Sequence, residues 1–133
     1  MLGEKIGESK GKITSQRVVT AEGGQKIETS FRDEGTILGI KARTIATYWA
    51  EMRASGTLYG EGQGLVPSEN GEMATWKGHG VGVMQPDGSV KYRGSLFFHT
   101  QSGKWTRLNK IAAVFEFDVD KDGNTKGTMT EWS

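Results

Sequence analysis

Two glycine runs with a spacing of two constrain this chain most strongly. Gly60-Glu61-Gly62-Gln63-Gly64 is followed by Gly78-His79-Gly80-Val81-Gly82. Two residues is the repeat of a β-strand, so the glycines of each run share one face of a sheet and the intervening residues share the other. Neither run is the dinucleotide fingerprint, which needs Gly-x-Gly-x-x-Gly opening a helix. A sheet face without side chains either bends tightly at a barrel corner or lets something bulky approach the backbone. The bulky group could be large aromatics such as Trp49, Trp76 or Phe98, a second subunit, or a ligand. Packing is the ordinary use of such glycines, and a ligand against bare backbone is the functional one.

The rest of the chain also reads as strands and turns. Lys10 to Thr20 is rich in Val, Ile, Thr and Ser. Ile27, Thr29 and Phe31 alternate with charged residues, as do Tyr92, Leu96 and Phe98 with Arg93, Ser95 and His99. Ile111, Ala113, Phe115, Phe117 and Val119 form one face opposite Glu116 and Asp118, and Thr128, Thr130 and Trp132 make a last strand. Turn signals separate these segments at Gly23-Gly24, Ser55-Gly56, Asn70-Gly71, Asp87-Gly88 and Asp122-Gly123, where Asn-Gly and Asp-Gly supply the positive φ of tight hairpins. Thr36 to Ala54 also fits a helical stripe, but its Thr and Ile content favours a strand, with Gly39 as a bend or bulge. Ser102 to Leu108 can form a short helical turn. The pattern predicts an all-β, antiparallel sandwich or barrel in a single domain over residues 1–133.

The non-glycine face of the central strands carries Tyr59, Glu61 and Gln63, then Thr75, Lys77 and His79, with Arg93 and His99 on the strand after. If these strands are neighbours, Glu61, Gln63 and His79 converge. A carboxylate beside an imidazole suits proton transfer where burial tunes both groups. Glu61 and His79 are therefore the candidate catalytic residues, and Tyr59, Gln63, Trp76, Arg93 and His99 the candidate ligand-binding ones. The plainer reading is a solvated polar sheet face. Parity settles only that glycines and polar residues lie on opposite sides, and leaves open which side faces the interior.

Other chemistries find little support. His79 and His99 are the only imidazoles, and no zinc-type spacing appears, so no metal is expected. Asp118 to Asn124 resembles the opening of a calcium loop, but the twelfth position, which needs a bidentate Glu, is Met129. An acidic hairpin turn accounts for it. No nucleophile elbow or phosphate loop is present, and no cofactor is expected. The net charge of +1 lacks the basic field that nucleic-acid or membrane-surface binding needs. With no Cys, disulfides and thiol catalysis are excluded. Met1 to Lys5 leads into no apolar stretch, so no signal peptide is expected, and the expected location is cytoplasmic.

The run Leu58-Tyr59-Gly60-Glu61-Gly62-Gln63-Gly64, Ala74-Thr75-Trp76-Lys77-Gly78-His79-Gly80-Val81-Gly82 and Tyr92-Arg93-Gly94-Ser95-Leu96-Phe97-Phe98 resembles a small bacterial family of unknown function. That family is placed among the allene oxide cyclase-like β-barrels. The likeness continues through Arg107-Leu108-Asn109 and Val114-Phe115-Glu116-Phe117 to Asp122-Gly123-Asn124 and Glu131-Trp132. It implies one antiparallel barrel of about eight strands with at most one short helical turn, self-associating as a dimer or trimer. The wider fold includes plant allene oxide cyclases and dirigent proteins, which guide cyclisation or coupling of hydrophobic intermediates without a cofactor. The leading functional expectation is a barrel that binds a small hydrophobic or amphipathic molecule. The alternatives are a cofactor-independent isomerase or cyclase using Glu61 as acid/base, and a structural module whose glycine stripe packs between subunits.

Overall fold

Glycine turns cut the alternating segments into eight strands. The computed structural model describes residues 1–133. The strands are β1 (Leu2–Thr20), β2 (Lys26–Ile37), β3 (Ile40–Met52), β4 (Thr57–Pro67), β5 (Met73–Met84), β6 (Val90–Thr100), β7 (Ala112–Val119) and β8 (Asn124–Trp132). Each pairs antiparallel with its chain neighbour, and β1 pairs with β8, so the sheet closes into an eight-stranded barrel. Single 3-10 turns are short, and the two 3-10 segments here span Ala54–Gly56 and Gly103–Lys110. No helix is long and apolar enough to cross a membrane.

The predicted turns are where the chain reverses, and positive φ occurs at Gly23, Gly24, Gly56, Gly71, Gly88 and Gly123. The ambiguous segment resolves into a hairpin. Leu38 and Gly39, at φ 49° and 78°, join β2 to β3, with Ile37 opposite Ile40. Two successive positive φ values are what a two-residue hairpin of the favoured twist needs, so Gly39 is a turn residue rather than a bulge. β1 begins at Leu2, well before Lys10, because Gly3, Gly7 and the charged Glu4, Lys5 and Glu8 mask its alternation. Leu2 to Lys5 pairs with β8 alone, Gly7 to Lys12 with both β8 and β2, and the strand beyond Lys12 with β2 alone.

Register decides which face is inside. Tyr48, Gly62, Gly78 and Leu96 stand opposite one another across β3 to β6, as do Ala50, Gly60, Gly80 and Gly94. Directly opposed residues share a face, and Ala46, Ala50 and Leu96 on this face are buried. The glycine stripes therefore line the barrel interior. They have two uses there. Some leave room for large side chains: a Cβ on Gly64 would lie 2.5 Å from the Trp76 ring, and one on Gly82 2.6 Å from the Tyr92 ring. Others let backbones meet: a Cβ on Gly94 would fall on the His79 carbonyl oxygen and 2.6 Å from the Gly80 Cα. Two expectations are corrected here. Trp49 does not cover the stripe, because it sits on the outer face opposite Glu61. A neighbouring subunit cannot reach the stripe either, because the barrel wall lies between them.

One end of the barrel is plugged. The 3-10 helix Gly103–Lys110 follows β6 and lays Trp105 and Leu108 into the opening, both with 0% exposure. They join Ile6, Ile37, Val66, Phe98 and Ile111 in one core. Burying a side chain of this size is worth roughly 1.5–3 kcal/mol. The Trp105 indole N–H donates to the Ile37 carbonyl at 3.2 Å, so its polar atom is satisfied. Asn109 ties the helix to β6: its Oδ1 accepts the Thr100 N–H at 2.8 Å, and its Nδ2 donates to the Thr100 carbonyl at 2.9 Å.

Three substitutions test this account by urea unfolding. Gly94→Ala should cost about 1–3 kcal/mol, because backbone rather than a flexible side chain occupies the new methyl's place. Gly103→Ala, with nothing within 4 Å, should stay within about 0.5 kcal/mol of the parent. Trp105→Ala should cost about 3–5 kcal/mol as the plug is lost.

Candidate functional site

The bare inner wall of β4 and β5 leaves space in the middle of the barrel. A cavity of about 110 Å³ lies there. Its walls include Phe31 and Asp33 of β2, Thr44 and Tyr48 of β3, Trp76 of β5, Tyr92 of β6 and Phe117 of β7. Ile37, Ala42 and Leu96 separate it from the plug. Gly60, Gly62, Gly78 and Gly80 form the facing wall, where the backbones of Glu61 and His79 border the cavity while their side chains point away from it. An eight-stranded barrel has an interior just wide enough for side chains to fill or for one small ligand. This chain takes an intermediate course, filling both ends and leaving the glycine-lined centre open.

Four aromatic rings cluster beside the cavity. Phe31 and Phe117 are 4.8 Å apart between centroids, and Tyr48 meets Tyr92 edge-on at 5.6 Å and Phe117 at 6.0 Å. Burial pushes both phenols up, Tyr92 to about 12 and Tyr48 further, so both are neutral donors and acceptors at physiological pH.

Asp33 is the acidic group of this interior, with 8% exposure. It stands opposite Gly11 on β1 and Thr44 on β3, and the Ser9 hydroxyl donates to its Oδ2 at 3.0 Å. Burial raises its pKa above the ordinary aspartate value, and the Thr44 and Ser9 hydroxyls oppose that rise in part. No Lys or Arg lines the cavity, so no cation offsets the cost of its charge.

The residues singled out from the sequence fall mostly on the outer wall. Glu61 and His79 are direct register partners, and the Tyr59 hydroxyl joins them, donating to Glu61 Oε2 at 3.1 Å and lying 3.2 Å from His79 Nδ1. Trp49 stacks edge-on against Tyr59, and the Arg53 guanidinium lies 4.5 Å from the Tyr59 ring centroid. Gln63 is one register step on, opposite Lys77. Arg93 is engaged elsewhere, with Glu116 at 3.1 Å and Asp118 at 3.0 Å, and His99 faces out opposite Thr75. The three groups expected to converge thus do so only as an exposed Glu61–Tyr59–His79 set with Gln63 beside it. Trp76 is the one candidate that faces the cavity, where it also covers Gly64. The Asp118–Asn124 stretch is a hairpin turn: Asp120 Oδ1 accepts the N–H groups of Asp122 and Asn124, each at 2.9 Å.

Sequence reasoning missed Phe31, Asp33, Thr44, Tyr48, Tyr92 and Phe117 as a group. One signal was available. Asp33 shares the parity of Ile27, Thr29 and Phe31, which puts a carboxylate on an otherwise apolar strand face. Such a residue is rarely buried without a reason.

The raised pKa of Asp33 sets a pH dependence. The folded state holds the proton to higher pH than the unfolded chain does. Its stabilising contribution is therefore complete below the ordinary aspartate value and is lost as pH rises through the raised one. Asp33→Asn cannot ionise, so it should have a higher Tm than the parent at pH 7, with the gap closing as pH falls toward 4. A gap that widens in acid would contradict the burial argument; thermal melts at several pH values measure it.

No protein-family model matches the chain, and no curated protein matches it in sequence. Solved structures do match. A protein of unknown function from Clostridium acetobutylicum superposes with a TM-score of 0.84 at 10% identity, covering 98% of each chain. A conserved protein of unknown function from Rhodopseudomonas palustris gives 0.80 at 12%, covering 99% of each. An enzyme from Penicillium herquei gives 0.68 at 13%, covering 96% of this chain and 92% of its own. At these identities the likeness is one of fold, and it agrees with the bacterial barrel of unknown function that the sequence resembles.

Proposed function

We propose that this barrel binds a small hydrophobic or amphipathic molecule in its central cavity. The observation that carries this reading is the cavity itself, about 110 Å³ walled by Phe31, Tyr48, Trp76, Phe117 and bare glycine backbone. A well-packed interior has few voids larger than a water molecule, and an apolar cavity of about 150 Å³ can hold benzene. A volume of this order limits the ligand to about one ring. Asp33, Thr44, Tyr48 and Tyr92 supply the few polar groups that orient a ligand in an apolar site.

Thermal shift and ligand-observed NMR with a set of one-ring aromatic compounds test the reading. Binding should raise Tm, and Ala42→Leu, which adds bulk at the cavity wall, should weaken binding at least tenfold while circular dichroism still reports a barrel. If no compound shifts Tm, and native mass spectrometry of protein from its source finds no bound mass, the reading fails.

A second reading keeps Glu61 and His79 as an acid–base pair of an isomerase or cyclase, with Tyr59 and Gln63 beside them. The Tyr59 bridge between the two groups supports it, and a protein described as an enzyme shares the fold. It requires a substrate seated on the outer wall. Chemical-shift changes on ligand addition separate the two: Phe31, Tyr48 and Phe117 respond in the first, the His79 imidazole in the second. Self-association as a dimer or trimer is a separate proposal. It rests on the exposed Leu65, Val81 and Phe97 of the outer wall and is tested by light scattering.

A further inference from the structure

The cavity has a charge with no counter-charge. The Asp33 carboxyl is buried at its wall with neutral partners alone, the Ser9 hydroxyl at 3.0 Å and the hydroxyl and backbone N–H of Thr44 across the β2–β3 ladder. Among all the residues lining the cavity there is no Lys or Arg. The other acidic residues that border it (Glu8, Glu61 and Glu116) lie at outward register positions. Glu8 pairs outside with Lys5 at 2.7 Å, and Glu116 with Arg93 at 3.1 Å. His79 also faces out, toward Tyr59. An anionic ligand would therefore meet one carboxylate and several ring faces, all of which repel it. A neutral ligand would leave the Asp33 charge buried and unpaired, a costly arrangement.

We infer that the cavity takes a small organic amine, its ring or alkyl body among Phe31, Tyr48, Trp76 and Phe117 and its ammonium on the Asp33 carboxylate. The aromatic walls serve this pairing twice. They supply apolar surface for the body, and their negative ring faces attract a desolvated cation within about 6 Å. Phe31 precedes Asp33 by two residues on the same strand face and belongs to the four-ring cluster. The carboxylate thus lies on the same strand face as one ring of the cluster, with the others around the cavity. Ser9 and Thr44 hold the carboxyl by hydroxyl bonds, which leaves charge on it for the ligand. This inference rests on the proposed binding function and adds to it the charge of the ligand.

Three one-ring compounds of matched shape test it: benzylamine, benzyl alcohol and toluene, titrated by calorimetry into the parent and Asp33→Asn. The expected result is that the parent binds benzylamine at least tenfold tighter than benzyl alcohol, and that Asp33→Asn loses this preference while still binding benzyl alcohol. The parent alone gives an independent check should the variant not fold. Its affinity for benzylamine should fall as pH is lowered from 7 toward 4, because Asp33 takes up a proton, while its affinity for toluene stays level. Asp33 faces Ser9 and Gly11 from β1 and Thr44 from β3, none of which titrates. The tyrosines of the cavity remain neutral throughout this range. If the neutral compounds bind as tightly as the amine, or the variant keeps the amine preference, Asp33 is a structural hydrogen-bond acceptor and the inference is overturned while the binding reading stands. If none of the three binds, both are overturned.

Discussion

Eight strands can close around so narrow a space only where neighbouring backbones come closer than ordinary side chains permit. Gly11 and Gly35, on β1 and β2, and Gly80 and Gly94, on β5 and β6, supply that approach. At each, the place of a Cβ is taken by a carbonyl oxygen or Cα of the adjacent strand. The β1–β8 pairing then removes the sheet's free edges over most of its length. Everything inside the barrel follows from this closure, including which face is dry, how much volume remains, and which side chains must share it.

That volume is divided unevenly, and the division makes the candidate site. At one end the 3-10 helix drives Trp105 and Leu108 into the opening, so a short helical segment carries two of the three largest fully buried side chains of the molecule. Beyond the centre, four rings from β2, β3, β6 and β7 pack against each other. Between plug and rings, the bare wall of β4 and β5 has nothing to fill the gap. A cavity made this way is mostly apolar and has one inward-facing carboxyl, that of Asp33. Those conditions strengthen electrostatic interactions and make an unpaired charge expensive.

The outer wall works under the opposite condition. Tyr59, Glu61 and His79 are joined by hydrogen bonds, but they stand in water, where a hydrogen-bonded carboxylate and imidazole gain little from each other. Arg93 with Glu116 and Asp118, and Arg107 with Glu4 and Glu131, form similar exposed charge networks. Cross-strand pairing of this kind suits a solvated sheet face. The polar alternation of β4 and β5 is thus also the ordinary complement of an apolar interior.

The sequence alone carried the strand period, the turn positions and an antiparallel sandwich or barrel, because these depend on local chemistry: alternation, β-branching and the positive φ that glycine allows; the barrel itself was what the family resemblance implied. It also showed that glycines and polar residues occupy opposite faces over β4 and β5. Which of those faces turned inward was decided by tertiary structure, since alternation has the same form for either choice and only closure against β3 and β6 distinguishes them. The same holds for the site. Asp33, Tyr48, Tyr92 and Phe117 come from four different strands, and their meeting depends on register and on barrel curvature. Neither leaves a mark in the spacing of residues along the chain.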